Sequence, residues 1–270
     1  MSTEPSRFRS LCKTESHTTH TSGYCPGFAQ ANLLVLPKTA SDDFVDLCKR
    51  NPVACPLIGV TDPGDPFQID DKRVIFDPGF DVRTDFPKYT VYEDGKLIAT
   101  KTNIKDEWTD EHVAFLIGCS FSFESALQEA GLSPAHFKES KNVSMYLTTK
   151  MMDASGIFVR CPYVVSMRPY KPEMLQRVRE ITREFRKTHG EPIDWGYDAL
   201  DRLGIKDINK PDFGDACEIA DNEIPVFWAC GVTPQIAAVQ ASSSIKGKVM
   251  AHLPGHMLVL DIKDADVKHL

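Results

Sequence analysis

One stretch, residues 224–235, constrains this chain more than any other: Ile-Pro-Val-Phe-Trp-Ala-Cys-Gly-Val-Thr-Pro-Gln. Residues 226–230 are apolar, aromatic and few, which suits a strand covered on both faces. Gly231 permits a tight turn. Thr233 is a good N-cap, and Pro234 fits the first helical position, where its missing N–H has no partner to lose. Ile236, Ala237, Val239 and Ala241 continue the helix. Such a junction points free backbone N–H groups and a positive dipole end outward, and it can hold a carboxylate or phosphate without a charged side chain. Pockets at the carboxyl ends of strands recur in α/β proteins.

The rest of the chain alternates short apolar runs with helical patterns. Residues 1–22, rich in Ser, Thr and His, read as a disordered or extended arm. Residues 33–36 form a strand ended by Pro37, and Ser41 caps a helix with Phe44, Leu47 and Cys48 on one face. A hairpin is expected at 89–99 around Asp94-Gly95. Thr109 reads as the cap of a helix running through His112, Val113, Phe115 and Leu116. Phe121 opens another helix after Gly118-Cys119-Ser120. Residues 156–222 read as a small inserted α/β domain, with a strand before Arg168, a helix from Pro172, and a second strand at 191–195. The larger domain is then 23–155 plus 223–270, closing with a strand at 249–253, a Pro254-Gly255 turn and a strand at 256–262. These patterns give a mixed α/β fold.

The formal net charge of −7, with no basic stripe, argues against a nucleic-acid partner. No apolar run reaches the roughly 18 residues of a membrane span, and the N-terminus lacks the apolar core of a secretory signal. The expected location is the cytoplasm, with the mitochondrial matrix as runner-up. The eight cysteines form no Cys-x-x-Cys pair and read as reduced thiols. No Gly-x-Gly-x-x-Gly or P-loop supports a nucleotide, and no metal or other cofactor is expected.

Polar residues collect at the turns flanking the apolar runs. Glu124, at a helix start, reads as a first-turn acid or as a general acid or base whose pKa burial would have to raise. Arg168, between an apolar strand and Pro169, suits a two-pronged grip on a substrate carboxylate or an internal ion pair. Arg83 lies between Asp81 and Asp85, where an ion pair competes with ligand binding. His256 is a candidate proton carrier. With His252 it could form a metal pair, but across a Pro-Gly turn the two lack the one-face geometry of helical zinc motifs. Cys119 and Cys230 each adjoin a glycine at a helix start, where a thiolate nucleophile would be stabilised; the competing reading of each is a buried, inert thiol. The candidate catalytic set is Glu124, His256 and Cys230. The candidate binding set is Arg168, Gly231, Thr233, Gln235, Asn32 and Arg83.

Several blocks together resemble one family: Gly27-Phe28-Ala29-Gln30-Ala31-Asn32-Leu33, Arg83-Thr84-Asp85-Phe86-Pro87, Gly118-Cys119-Ser120-Phe121-Ser122-Phe123-Glu124, Ser166-Met167-Arg168-Pro169, the 225–235 block and Pro254-Gly255-His256-Met257. The chain resembles the D-glutamate cyclase family of hydro-lyases from about residue 23 to 261. The resemblance implies a three-layer α/β/α sandwich with an inserted smaller two-layer α/β domain. It also implies a carbon–oxygen lyase that removes water, in the named case closing D-glutamate to 5-oxo-D-proline. The expected partner is a small carboxylate or amino acid, and a homodimer is compatible with this picture. The alternative is a non-catalytic binding protein for such an acid.

Overall fold

The computed structural model describes residues 4–139 and 141–270. In chain order the elements are α1 (Pro5–Lys13), β1 (Phe28–Pro37), α2 (Ser41–Arg50), β2 (Leu57–Val60), β3 (Tyr89–Glu93), β4 (Lys96–Lys101) and β5 (His112–Gly118). Then come α3 (Phe121–Glu129), α4 (Ala135–Glu139), β6 (Ser144–Met151), β7 (Pro162–Tyr170), α5 (Leu175–Arg183) and β8 (Asp194–Trp195). The chain closes with α6 (Ala199–Leu203), β9 (Ile224–Ala229), α7 (Thr233–Gln240), β10 (Val249–His252) and β11 (Leu258–Lys263). The fold is α/β, built on two antiparallel sheets.

The larger sheet runs β2-β5-β1-β10-β3-β4, with β11 also paired to β1. Strand β1 is its spine. On one side it pairs with β5 from Ala31↔Gly118 to Pro37↔His112. On the other side its partner changes along its length. Leu34 and Val35 face Ala251 and Met250 of β10, whereas Gln30 and Ala31 face Val259 and Leu258 of β11. Between these two ladders, at Asn32 and Leu33, the sheet is split. Alternate β1 residues feed two cores, as a period of two requires. Ala29, Ala31, Leu33 and Val35 pack with Phe80, Phe86 and Tyr89. Leu34 and Leu36 pack with Phe44 and Leu47 of α2 and with Ala237 and Ala238 of α7.

The smaller sheet runs β6-β7-β9-β8. Val226 and Trp228 of β9 pack against Phe123 and Leu127 of α3 and Val178 of α5. Phe227 turns to the other face, against Ala199 and Leu203 of α6. This sheet contains β7 and β8 from residues 156–222. It also takes β6 and β9 from the flanking segments that the sequence reading assigned to the larger domain.

Two expectations are corrected. The helix expected after Thr109 is β5, a strand buried at every position. A strand buried on both faces shows no alternation, so periodicity cannot separate it from a buried helix. Thr109 closes a turn instead, its N–H donating to Nδ1 of His112 at 3.0 Å. The expected arm carries a helix, α1, tied down by Arg9. That buried guanidinium donates to the Val259 carbonyl and pairs with Asp77 and Asp261. Residues 1–3 of that arm lie outside the described residues.

Candidate functional site

Two strand-to-helix junctions meet at one cleft. At the first, β5 ends at Gly118 and Cys119-Ser120 leads into α3. At the second, β9 ends at Ala229 and Cys230-Gly231-Val232 leads into α7. Both place a helix N-terminus, with its positive dipole end, beside the same space, although the first amides are already paired: Ser122 and Phe123 donate to the Cys119 and Ser120 carbonyls, and Thr233 and Gln235 to those of Cys230 and Val232. The cleft is narrow, with a cavity volume of about 20 Å³, and is lined by Cys119, Ser120 and Phe121 from the first junction and Cys230, Gly231 and Val232 from the second. Asn32, Asn142, His252 and the Pro254-Gly255 turn complete its polar lining. No carboxylate lines it among the described residues.

Glycine at 231 has a steric reason. A Cβ there would lie 2.0 Å from Nδ2 of Asn32. That amide is fixed in turn, donating to the carbonyls of Gly118 at 3.0 Å and Ile117 at 3.3 Å. Asn32 therefore fastens the end of β5 while pressing on the turn after β9. The structure places Asn32 and Gly231, both candidate binding residues, in the lining of the cleft.

Beneath Ser120 lies a buried ion pair. Arg168 donates from Nε to Oε1 of Glu124 at 2.9 Å and from Nη2 to the same oxygen at 2.5 Å. Its remaining donors reach Ser166 Oγ at 3.0 Å and Ser120 Oγ at 3.1 Å. The guanidinium stacks over Phe123 and Trp228 at about 5 Å. Arg168 is fully buried and Glu124 is 2% exposed. Burial by itself would raise the Glu124 pKa, but Arg168 and His136 outweigh it and hold the carboxyl below its ordinary value. This corrects two sequence expectations. Arg168 grips an internal carboxylate, not a lining position of the cleft. Glu124 is an ionised partner, not an acid poised near neutrality. Their link to the cleft runs through the Ser120 hydroxyl.

The other candidates fall as follows. Thr233 is the first residue of α7, and its hydroxyl clamps β7. It accepts from the Val164 N–H at 3.0 Å and lies 3.2 Å from the Val164 carbonyl, so it does not cap the helix. Gln235 reaches back from α7 to His252, donating to its carbonyl at 3.1 Å and lying 3.0 Å from its Nδ1. Cys230 lines the cleft, but burial pushes its thiol up to about 11, so the expected thiolate is absent at neutral pH. The Cys119 thiol is raised further for the same reason. Arg83 is bound to Asp81 through Nε and Nη2, both at 2.9 Å, and packs over Phe67 outside the cleft lining. His256 is not among the lining residues, and its Nδ1 lies 3.1 Å from the Pro254 carbonyl. Burial and the neighbouring Lys88, His20 and His17 lower its pKa.

Among the lining side chains able to hydrogen-bond a ligand, Ser120, Asn142 and His252 were not in the candidate sets. Ser120 stands inside a block quoted for its resemblance, beside Cys119, which was the only available signal. His252 was read solely as half of a metal pair. Among the described residues, no three His, Cys, Asp or Glu side chains gather as metal ligands.

The comparisons with known proteins agree with the quoted blocks. The profile of the family described as D-glutamate cyclase matches residues 113–261. A "Putative hydro-lyase" of Rubrobacter xylanophilus is 46% identical over 258 residues, covering 96% of this chain and 95% of that protein.

The chain belongs to the D-glutamate cyclase family.

Related family members reach across kingdoms. "Putative hydro-lyase C5H10.01" of Schizosaccharomyces pombe is 44% identical over 96% of this chain and 85% of its own length. A "Putative hydro-lyase" of Clostridium beijerinckii is 44% identical over 98% and 97%. Among solved structures, a nitrogen repressor-like protein, MJ0159, from Methanococcus jannaschii superposes with a TM-score of 0.35 at 10% identity over 98% of this chain and 97% of that one. That likeness is too loose to bear on fold or function. No helix among the described residues is long and apolar enough to cross a membrane. In this D-glutamate cyclase family member, the cleft draws residues from four of the blocks that carry the resemblance: Asn32, Cys119 to Phe121, Cys230 to Val232, and Pro254 with Gly255 and Met257.

Proposed function

We propose that the chain is a hydro-lyase that removes water from a small amino or hydroxy acid bound in this cleft. D-glutamate closing to 5-oxo-D-proline is the first reaction to test. The observation that carries this reading is the meeting of two helix N-termini around Asn32 and Ser120, with the Arg168–Glu124 ion pair holding Ser120 from beneath. Such a space favours anionic oxygen. Ring closure of an amino dicarboxylic acid forms a C–N bond, breaks a C–O bond and passes through an oxyanion. The positive ends of the two helices and the Ser120 hydroxyl would stabilise that oxyanion, since they are in place before the charge appears. Arg168 serves as a positioning residue here: it orients the Ser120 hydroxyl and is itself kept charged and in place by Glu124.

The same residues give a second reading some support. The titratable groups lining the cleft are two neutral thiols and a buried imidazole, and none is poised to exchange a proton near neutral pH. A non-catalytic binding protein for a small acid would have this property. One experiment separates the two. The protein is screened by thermal shift against D- and L-glutamate, glutarate and small hydroxy acids, and each mixture is then analysed by proton NMR. Water loss from any of them, and 5-oxoproline from D-glutamate in particular, supports the lyase. A raised melting temperature with no product supports the binding protein.

A further inference from the structure

The split in the larger sheet has a chemical consequence at His252, the last residue of β10. Where β1 passes from β10 to β11, Leu33 has no strand partner on that edge, and the imidazole takes the place of one. The Leu33 N–H donates to His252 Nδ1 at 3.1 Å. The Gln235 side-chain nitrogen lies 3.0 Å from the same atom and is fixed by its own bond to the His252 carbonyl. A ring nitrogen that receives N–H donors carries its lone pair there, so the proton of a neutral imidazole sits on the other nitrogen. The ring also lines the cleft, together with Asn32, Ser120 and Gly231.

We infer that His252 is a neutral hydrogen-bond donor for the bound acid: Leu33 and Gln235 hold Nδ1 as an acceptor, and Nε2–H is presented to an anionic oxygen in the cleft. The inference rests on the proposed function for the identity of the ligand, a small carboxylic acid, but not for the state of the ring. Full burial lowers the His252 pKa to about 4, and the nearby His256 acts in the same direction. The Leu33 carbonyl acts the other way, as an acceptor that favours the charged ring, but burial outweighs it, and the remaining groups add no charge. The Leu33 carbonyl lies 3.3 Å from Nδ1, Gln235 is uncharged, and the Cys119 and Cys230 thiols that share the cleft are protonated. A neutral donor suits an oxyanion that forms and disappears within one turnover. It stabilises the charge without giving up its proton, so its contribution does not fade across the range in which an ordinary histidine titrates.

The test is nitrogen-15 NMR of the histidine-labelled full chain, with the His252 signals assigned by their loss in His252→Gln. The expected result is a bare Nδ1 and a protonated Nε2, unchanged between about pH 5.5 and 8. The Nε2–H signal should shift on addition of glutarate or D-glutamate. The reverse tautomer, or a doubly protonated ring at neutral pH, overturns the inference whatever the protein binds. Binding of an acid with no shift at His252 overturns the donor role alone. Failure of every acid to bind overturns the donor role and the proposed function together. Where turnover is found, His252→Leu should lower kcat by roughly 100-fold with KM little changed. His252→Gln, which keeps an amide N–H near the Nε2 position, should retain more activity, and equal losses in the two variants would also count against the inference.

Discussion

The two junctions that frame the cleft are built to one plan and held by different forces. Each ends a buried strand, turns through a buried cysteine and starts a helix. They also exchange sheets: the first leaves the larger sheet, and its helix packs on the smaller one, while the second does the reverse. The first is fastened by charge, through Arg168, Glu124 and Ser120. The second is fastened by close contact and neutral hydrogen bonds, with Gly231 pressed on Asn32 and Thr233 clamped to Val164. A cleft between two sheets needs both walls fixed, and one buried cation suffices to polarise it. A second would need its own counter-ion in the same low-dielectric space.

The largest effect expected from this contrast is at the charged junction. Glu124→Gln or Arg168→Met should each cost about 3–5 kcal/mol in chemical denaturation, because each leaves a buried group without its partner. The double variant should lose much less than the sum. Single losses under about 1 kcal/mol would mean that the pair is dispensable. The pH dependence has a definite sign. The folded Glu124 pKa lies below its ordinary value, so the stability it contributes is present above that value and is lost as pH falls through the folded pKa. Wild type should therefore lose stability on acidification more steeply than the double variant.

A glycine exchange compares the two junctions directly. A Cβ at Gly118 would lie 1.7 Å from the Lys187 carbonyl oxygen, whereas at Gly231 it meets the Asn32 side chain, which can yield only by giving up its hydrogen bonds to Ile117 and Gly118. Gly118→Ala should destabilise by about 2–3 kcal/mol and Gly231→Ala by about 1 kcal/mol, since backbone yields less readily than a side chain. Ligand binding should nevertheless suffer more in Gly231→Ala, through displacement of Asn32. Calorimetry and titration of the same two proteins measure both orders, and a reversal of either breaks the comparison.

Smaller effects sharpen it. Thr233→Val keeps the shape but strands the buried Val164 N–H, and should cost about 1–2 kcal/mol by denaturant titration. An equally stable variant would show that the clamp is incidental. Asp264, beside α3, accepts from Ser125 Oγ at 2.7 Å, and burial pushes its pKa up to about 7. For a carboxyl raised in the folded state, the sign is opposite to that of Glu124: its contribution is full at low pH and is lost as pH rises from the ordinary value through about 7. Asp264→Asn should flatten that decline, with a melting temperature near wild type at acid pH and above it at alkaline pH. Parallel curves would remove Asp264 from the account.

What was legible in the chain follows local rules. The 89–99 hairpin came from Asp94-Gly95, and the α7 start came from Pro234, because turn and helix-start chemistry act over a few residues. The β5 strand was not legible, since seven buried positions in a row erase the alternation that marks a strand. The helix at 5–13 was missed for another reason. Its anchor, Arg9, is ordered by Asp77 and Asp261, and no local pattern announces partners so distant in sequence. Within the site, residue types were easier to choose than roles. Asn32, Gly231 and Cys230 do line the cleft, but Arg168 is consumed by Glu124, Arg83 by Asp81, and His256 is not among the lining residues.

The sequence by itself determined that this is an α/β chain of the D-glutamate cyclase family, with glycine turns feeding helix starts after short buried strands. Those features depend on local propensity and on blocks of residues read in order. Tertiary structure alone decided which turns share a cleft, which charges neutralise each other inside, and that a break between two strands leaves His252 to satisfy the backbone of a third. Burial and pairing depend on groups brought together from far along the chain, and these set the protonation state and the reach of every polar side chain in the site.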